Sequence, residues 1–392
     1  MMTNSAKRTA LTVRGKVADP ELWHQHGQEI SIGCSMCPEL ALCGGLSIRA
    51  PIYNCLDLCC GTPELCNRYA CPNQRRYSTL VNEANGLELT PYRRRVSPMI
   101  TSQDYVPCIL DVGNLVGPLS IPTVAISLYS IIDYRTGLSR YSSREQLLKK
   151  FKINPTAHVI IAATGEDRLV ERFWEVLRPK KTAESLHRLR PTLIATPNFS
   201  MHANTVRHDN LVSMARIAAC FNEFASVGLP VALHINGRTP HDFRRWVDYL
   251  RSSSGIYAVS YEMGTVGKSA TRRAWHAEQL IALAQAVDRP LTLLLRGGSA
   301  HLRNFATAFD RVITLDTSAL MKSKMRKSAT RAGGQLTWRS APTSPGEAID
   351  ELFLHNVRIL RRETNAAVSV VGNHASAFTD NHWIAHTHPS TN

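Results

Sequence analysis

From about residue 104 the chain alternates short apolar, β-branched runs with longer segments of helical period. The apolar runs fall at 106–111, 123–128, 158–163, 192–196, 231–235, 256–261, 291–295 and 312–315. Most lack an apolar–polar alternation, as parallel strands covered on both faces do. Amphipathic stretches at 166–177, 209–227, 240–251, 271–287 and 301–309 lie between several of them. The regions of Glu166, Asp209, Pro240 and Ser269 offer acidic, capping or first-turn residues where these helices should start. Turns such as Gly228-Leu229-Pro230 and Asp288-Arg289-Pro290 follow two of the helices. This rhythm predicts a parallel α/β domain. Eight strand candidates without a Gly-x-Gly-x-x-Gly motif predict a (β/α)8 TIM-like barrel in preference to a doubly wound sheet. A further amphipathic helix at 345–361 carries Ile349, Leu352, Phe353, Val357 and Leu360 on one stripe, and is expected to close the barrel or pack across its base.

The N-terminal part has a different texture. Eight of the ten cysteines fall between Cys34 and Cys71, spaced Cys34-x2-Cys37-x5-Cys43, then Cys55-x3-Cys59-Cys60-x5-Cys66-x4-Cys71-Pro72. So dense a set of thiols implies disulfides, zinc or iron–sulfur chemistry. Disulfides require an oxidising compartment, and the first residues lack the apolar core of a secretory signal, so the reading expects a metal. Structural zinc favours two separated Cys-x2–4-Cys knuckles; only Cys34/Cys37 and Cys55/Cys59 have that spacing, and the adjacent Cys59-Cys60 fits it poorly. Iron–sulfur clusters tolerate irregular spacing and often end in a Cys-Pro step. The preferred cofactor is therefore one or two [4Fe–4S] clusters, with zinc as the alternative. The expected ligands are Cys34, Cys37, Cys43, Cys55, Cys59, Cys60, Cys66 and Cys71, and either Cys59 or Cys60 can be the true one. Cys108 and Cys220 should be small buried apolar residues. The implied organisation is a polar arm at 1–30, a Cys-rich metal module at 31–77, a (β/α)8-like catalytic domain at 104–340, a C-terminal helix within 341–370 and a disordered tail at 371–392.

Charge narrows the partner. Among 392 residues the net charge is +15, which suits a polyanion, so DNA or RNA is the expected partner and a protein partner is a further possibility. No run of eighteen apolar residues suggests a membrane span, and a cytoplasmic protein is expected.

Barrels carry their chemistry at the C-terminal ends of the strands. Asp111, Glu262 and Asp316 end or directly follow three predicted strands and are the candidate general bases or nucleophiles. Asn198, His234 and Asn236 could hydrogen-bond a base edge or a sugar. Arg296-Gly297-Gly298 pairs a guanidinium with accessible backbone amides, which suits phosphate, although the two glycines could equally make a plain turn. Lys322, Lys324, Arg326, Lys327 and Arg331 follow the last strand and could form a ridge along a phosphate backbone, or else a solvated helix face.

Two resemblances bear on function. Cys34-x2-Cys37-x5-Cys43-Gly44-Gly45 resembles part of the auxiliary cluster domains of some radical enzymes, and Cys71-Pro72 is ferredoxin-like, but no Cys-x3-Cys-x2-Cys radical loop is present. Pro197-Asn198-Phe199-Ser200, Leu315-Asp316-Thr317-Ser318 and Ala332-Gly333-Gly334 resemble the tRNA-guanine transglycosylase superfamily, closest to its phage and mobile-element branches, over about 106–340. The resemblance implies base exchange through a carboxylate nucleophile, with Asp111 or Glu262 as acidic candidates, and a phage-defence (antiviral) or mobile-element setting. The family's late Cys-x-Cys-x2-Cys…His zinc site is missing here, and the N-terminal module would replace it. The expected function is base modification or exchange on nucleic acid or nucleotide. The alternatives are a catalytically inactive nucleic-acid-binding subunit and a cluster-dependent redox enzyme.

Overall fold

A computed structural model describes residues 29–30, 47–48, 83–94, 96, 103–110, 113–201, 207–267, 269–344 and 346–369. The expected ligands Cys34, Cys37, Cys43, Cys55, Cys59, Cys60, Cys66 and Cys71 lie outside these residues, as do Asp111 and the tail from 370. From the N-terminal part the described residues include a two-strand antiparallel ladder, β1 (Glu29–Ile30) with β2 (Ser47–Ile48).

Eight parallel strands then close into a barrel. They are β3 (Tyr105–Ile109), β4 (Thr123–Ser127), β5 (His158–Ala162), β6 (Leu193–Ala195), β7 (Val231–His234), β8 (Ala258–Glu262), β9 (Thr292–Arg296) and β10 (Arg311–Asp316), with β10 pairing back to β3. All eight coincide with the apolar runs of the sequence. Each strand is apolar on both faces because one face fills the lumen and the other packs under helices. Val106, Ala125, Ile160, Ala162, Leu193, Ala195, Ala232, Ala258, Leu294, Ile313 and Leu315 form a luminal cluster of their own, separate from the larger outer core. Each of β4 to β8 contributes an alanine to it, so that side of the lumen is lined by small side chains.

The principal helices are α1 (Arg144–Lys150), α2 (Asp167–Arg172), α3 (Thr182–His187), α4 (Arg207–Ser226), α5 (Pro240–Ser252), α6 (Ala270–Val287), α7 (Leu302–Ala308), α8 (Ser318–Lys324) and α9 (Asp350–Ser369). A π-helical turn at Phe173–Leu177 prolongs α2. The start of α5 shows how local sequence sets a boundary. Thr239 Oγ1 accepts from the Asp242 amide at 3.3 Å while the Asp242 carboxylate accepts from the Thr239 amide at 2.9 Å, and Pro240 takes the first turn. Such a capping box contributes about 1 kcal/mol.

Two departures from a plain eightfold repeat matter for the site. No helix occurs among the described residues between β3 and β4, and α9 packs along β3 with Phe353 and Val357 buried. The helix packs against the barrel through its apolar stripe, although it runs from 350 to 369 and not from 345 to 361. The second departure is a hairpin, β11 (Lys327–Ala332) with β12 (Gln335–Ser340), inserted after α8. Its two-residue tip is Gly333-Gly334, both at positive φ (58° and 78°), a conformation that favours glycine.

Residues 83–94 lie across the helical layer. The Trp174 indole donates to Glu83 at 3.1 Å, Arg216 pairs with Glu171 at 2.8 Å and with Glu83 at 3.6 Å, and Arg245 donates to the Leu87 carbonyl at 2.7 Å. Among the described residues no helix is long and apolar enough to cross a membrane.

Candidate active site at the barrel mouth

Strand parity sorts the mouth residues. On β8, Ala258, Ser260 and Glu262 share a face, and Ala258 is luminal, so Glu262 crowns the lumen. Arg296 ends β9 directly across from it in register, two residues beyond luminal Leu294. Glu262 is only 8% exposed. Its Oε1 accepts from the Gly264 amide at 3.0 Å, while Oε2 faces Arg296 Nε at 3.4 Å, an ion pair without hydrogen-bond alignment. Burial raises the Glu262 carboxyl above its ordinary range, and the Arg296 guanidinium and the Gly264 amide counter this in part.

The glycines beside Arg296 have a steric reason. Gly297 and Gly298 both sit at φ 73°, and a Cβ on Gly297 would come within 3.0 Å of the Gly264 nitrogen. The β9 loop therefore presses its backbone against the Met263-Gly264 turn, which fixes Glu262 and Arg296 together. The two glycines serve a tight turn here, one of the two roles expected for them.

His234 lies deeper, luminal and buried, with Nδ1 3.3 Å from Ser260 Oγ. Burial pushes its pKa down to about 3, so the imidazole is neutral at physiological pH. Asn198 and Asn236 brace the rim: Asn198 Oδ1 accepts from the Gly165 amide at 2.9 Å, and Asn236 Nδ2 donates to the Phe199 carbonyl at 2.9 Å. These bonds tie together the loops after β5, β6 and β7.

Asp316 takes the opposite parity. Ile313 and Leu315 are luminal, so Asp316 points outward, where it accepts from Tyr105 Oη at 2.7 Å and from the Ser318 and Ala319 amides at 3.0 and 3.2 Å. It caps α8. Burial and the neighbouring carboxylate push the Tyr105 phenol well up, so it stays a donor.

The basic stretch after β10 is divided among a helix, a turn and a strand. Lys322 and Lys324 lie on α8, with Lys322 Nζ 5.5 Å from the Trp338 ring centroid. Arg326 stands at φ 52° and donates to the Glu347 carbonyl at 2.9 Å. Lys327 opens β11, and Arg331 pairs with Glu363 on α9 at 2.7 Å. The hairpin lies along α9 because Asn356 accepts from the Ala329 amide at 2.7 Å and donates to the Lys327 carbonyl and Ser323 Oγ, each at 2.9 Å.

Cys108 was not among the site candidates, but it lies on the luminal side of β3, two residues beyond Val106. It is half-buried, and burial pushes its thiol up to about 12, with Arg296 drawing it down and Asp316 and Glu262 pushing it up. The strand's own period was the available signal, since 106 and 108 share a face. Cys220 in α4 is fully buried and its thiol is likewise raised by burial.

The structure thus brings together Glu262, Arg296, Gly297 and Gly298, with His234, Ser260 and Cys108 lining the lumen; Asp316 and the basic stretch stand apart. The described residues hold no group of three or more His, Cys, Asp or Glu suited to a metal ion. No protein-family model and no curated protein matches this chain.

Proposed function

We propose that this protein modifies or exchanges bases in nucleic acid or nucleotides at the mouth of its barrel, with Glu262 as the acid–base group. The observation that carries the reading is a buried carboxyl, raised by its surroundings, held opposite Arg296 at the end of the strands where barrels place their chemistry. A raised pKa keeps more of the carboxyl protonated than an ordinary carboxylate, which is the form a general acid needs. The net charge of +15 supports a polyanionic substrate.

In base exchange the glycosidic bond breaks and its electron pair leaves with the base, which takes the Glu262 proton. A second carboxylate forms the bond to the sugar, and the incoming base reverses both steps. Asp111, which follows β3 in the chain, is the candidate for that carboxylate, on the resemblance to the transglycosylases. Arg296 would hold a phosphate of the substrate. The eight clustered cysteines offer a thiolate-rich donor set suited to a [4Fe–4S] cluster, or else to zinc. Such a group would organise the N-terminal part or carry electrons.

The test is incorporation of each radiolabelled free base in turn into RNA or DNA. Label should enter one polymer with the wild-type protein and fail to enter with Glu262→Gln at unchanged polymer affinity. Binding without incorporation of any base by the wild type would rule out exchange and leave modification of the base in place.

A further inference from the structure

The hairpin β11–β12 has two unlike faces. Residues paired across the strands share a face, so Ala329 with Trp338 and Arg331 with Leu336 lie on the inner one. There Ala329 is fully buried, Trp338 meets Lys322 of α8, and Arg331 pairs with Glu363 of α9. The outer face carries Ser328 with Arg339, Thr330 with Thr337, and Ala332 with Gln335. We propose that this outer face docks in the major groove of duplex DNA, an assignment that rests on the nucleic-acid reading above and names its polymer.

Charge supports it first. From Thr317 to Gly346 the chain has six basic residues and no acidic one. Glu363 neutralises Arg331, but among the described residues no carboxylate pairs with Lys324, Lys327 or Arg339. These three are exposed and stand at the base of the hairpin: Lys324 in the last turn of α8, Lys327 opening β11, and Arg339 on β12 opposite Ser328. A face that serves only solubility mixes both signs, whereas a single positive sign suits a phosphate backbone. Composition supports it second. The outer face has no apolar residue larger than alanine, so it offers no seat to a protein core or a lipid surface. Exposed Gln335 and Arg339 supply the amide and guanidinium that read adenine and guanine edges. Shape supports it third. Strands of six residues form a ribbon about 20 Å long with its two chains about 5 Å apart. A B-form major groove about 12 Å wide admits such a ribbon, while the deep, narrow major groove of A-form RNA does not. The ribbon is also held in place, at one edge by Asn356 and at its base by the Arg326 carbonyl, which accepts from the Ala341 amide at 2.8 Å. Across its centre Thr330 Oγ1 lies 3.0 Å from Thr337 Oγ1.

The experiment is fluorescence anisotropy of the full chain with a labelled duplex DNA of mixed sequence, its single strands and the matching duplex RNA, each titrated at several salt concentrations. Duplex DNA should bind tightest. The triple variant Lys324→Ala, Lys327→Ala, Arg339→Ala should weaken that binding about tenfold or more and flatten the salt slope by up to about 2.7 units, since each phosphate contact on B-form DNA gives roughly 0.9. A second triple variant, Arg135→Ala, Lys149→Ala, Arg188→Ala, removes the same charge from exposed positions on the flank between β4 and β6, and should leave binding within about twofold. Gln335 is exposed near the hairpin tip, so its exchange leaves the packing intact. Gln335→Glu should weaken binding and Gln335→Lys should tighten it, with melting temperatures unchanged. Salt-dependent binding that falls equally in the two triple variants, or that ignores the sign at position 335, overturns the hairpin and leaves the nucleic-acid reading standing. Preference for single strands or duplex RNA over duplex DNA does the same. Absence of salt-dependent binding to any of the oligonucleotides overturns the hairpin and the polymer reading together.

Discussion

Replacing Asn356 by alanine tests how the hairpin is held. The side chain is fully buried and makes three hydrogen bonds of 2.7 to 2.9 Å: to the Ala329 amide, the Lys327 carbonyl and Ser323 Oγ. At about 1 kcal/mol net for each bond, the direct loss is about 3 kcal/mol. The Ala329 amide has no cross-strand role to compensate, because Asn356 is its acceptor and β11 is an edge on that side. Left unsatisfied in a buried setting, it adds to the loss. Other attachments are the Arg331–Glu363 pair, whose arginine side chain is 61% exposed and which contributes at most about 1 kcal/mol, and His355 Nε2, 2.9 Å from the Ala329 carbonyl. Amide exchange across Lys327–Ser340 should therefore accelerate about a hundredfold in Asn356→Ala, as 3 kcal/mol implies at 1.4 kcal/mol per tenfold. Exchange in β3 to β9 should change little. Hydrogen exchange read by mass spectrometry resolves the two regions. An acceleration below about threefold in the hairpin would refute the docking argument, and equal acceleration throughout would show the hairpin and barrel to be one cooperative unit.

Further expectations follow from the same geometry. Glu262 has a folded-state pKa raised above its unfolded value, so the stability it confers is present below the unfolded value near 4.3 and is lost as pH rises through the folded one. Glu262→Gln, which keeps an acceptor for the Gly264 amide, should therefore melt higher than wild type at pH 8, with the difference shrinking to nothing near pH 4; an advantage that grows with acid would refute the assignment. At Gly165 a Cβ would fall 2.4 Å from the Tyr129 ring, whose hydroxyl donates to the Ala163 carbonyl at 2.9 Å. Gly165→Ala should cost about 1–3 kcal/mol in denaturant unfolding, as overpacking does, and Tyr129→Leu should relieve the clash in the double variant. Protein purified without oxygen should be brown and carry iron with acid-labile sulfide; colourless protein with stoichiometric zinc would replace the cluster with zinc, and metal-free protein would remove the metal module.

The barrel was legible because parallel strands buried on both faces leave unbroken apolar runs, and all eight are found where those runs lie. The same property hid the site's parity. With both faces apolar, nothing in 311–316 announced that Leu315 faces the lumen and Asp316 faces away, so Asp316 and Glu262 looked alike. The hairpin was illegible for a different reason. Of its strand residues only Ala329 is fully buried, so no apolar run marks it, and its lysines and arginines read as a ridge. Equal polar strands around Gly333-Gly334 were the one signal. α8 was absorbed into the same ridge, since it buries only Ala319, Leu320 and Ser323 over seven residues.

The central claim is that a buried carboxyl facing an arginine at the barrel mouth performs chemistry on nucleic acid. Its most direct test is the nucleoside content of DNA and RNA, digested and resolved by mass spectrometry, from cells expressing wild type or Glu262→Gln at equal level. The account predicts a nucleoside of altered mass in one polymer from wild-type cells and its absence with Glu262→Gln. Identical nucleoside profiles from both, with the wild-type protein folded, would contradict it.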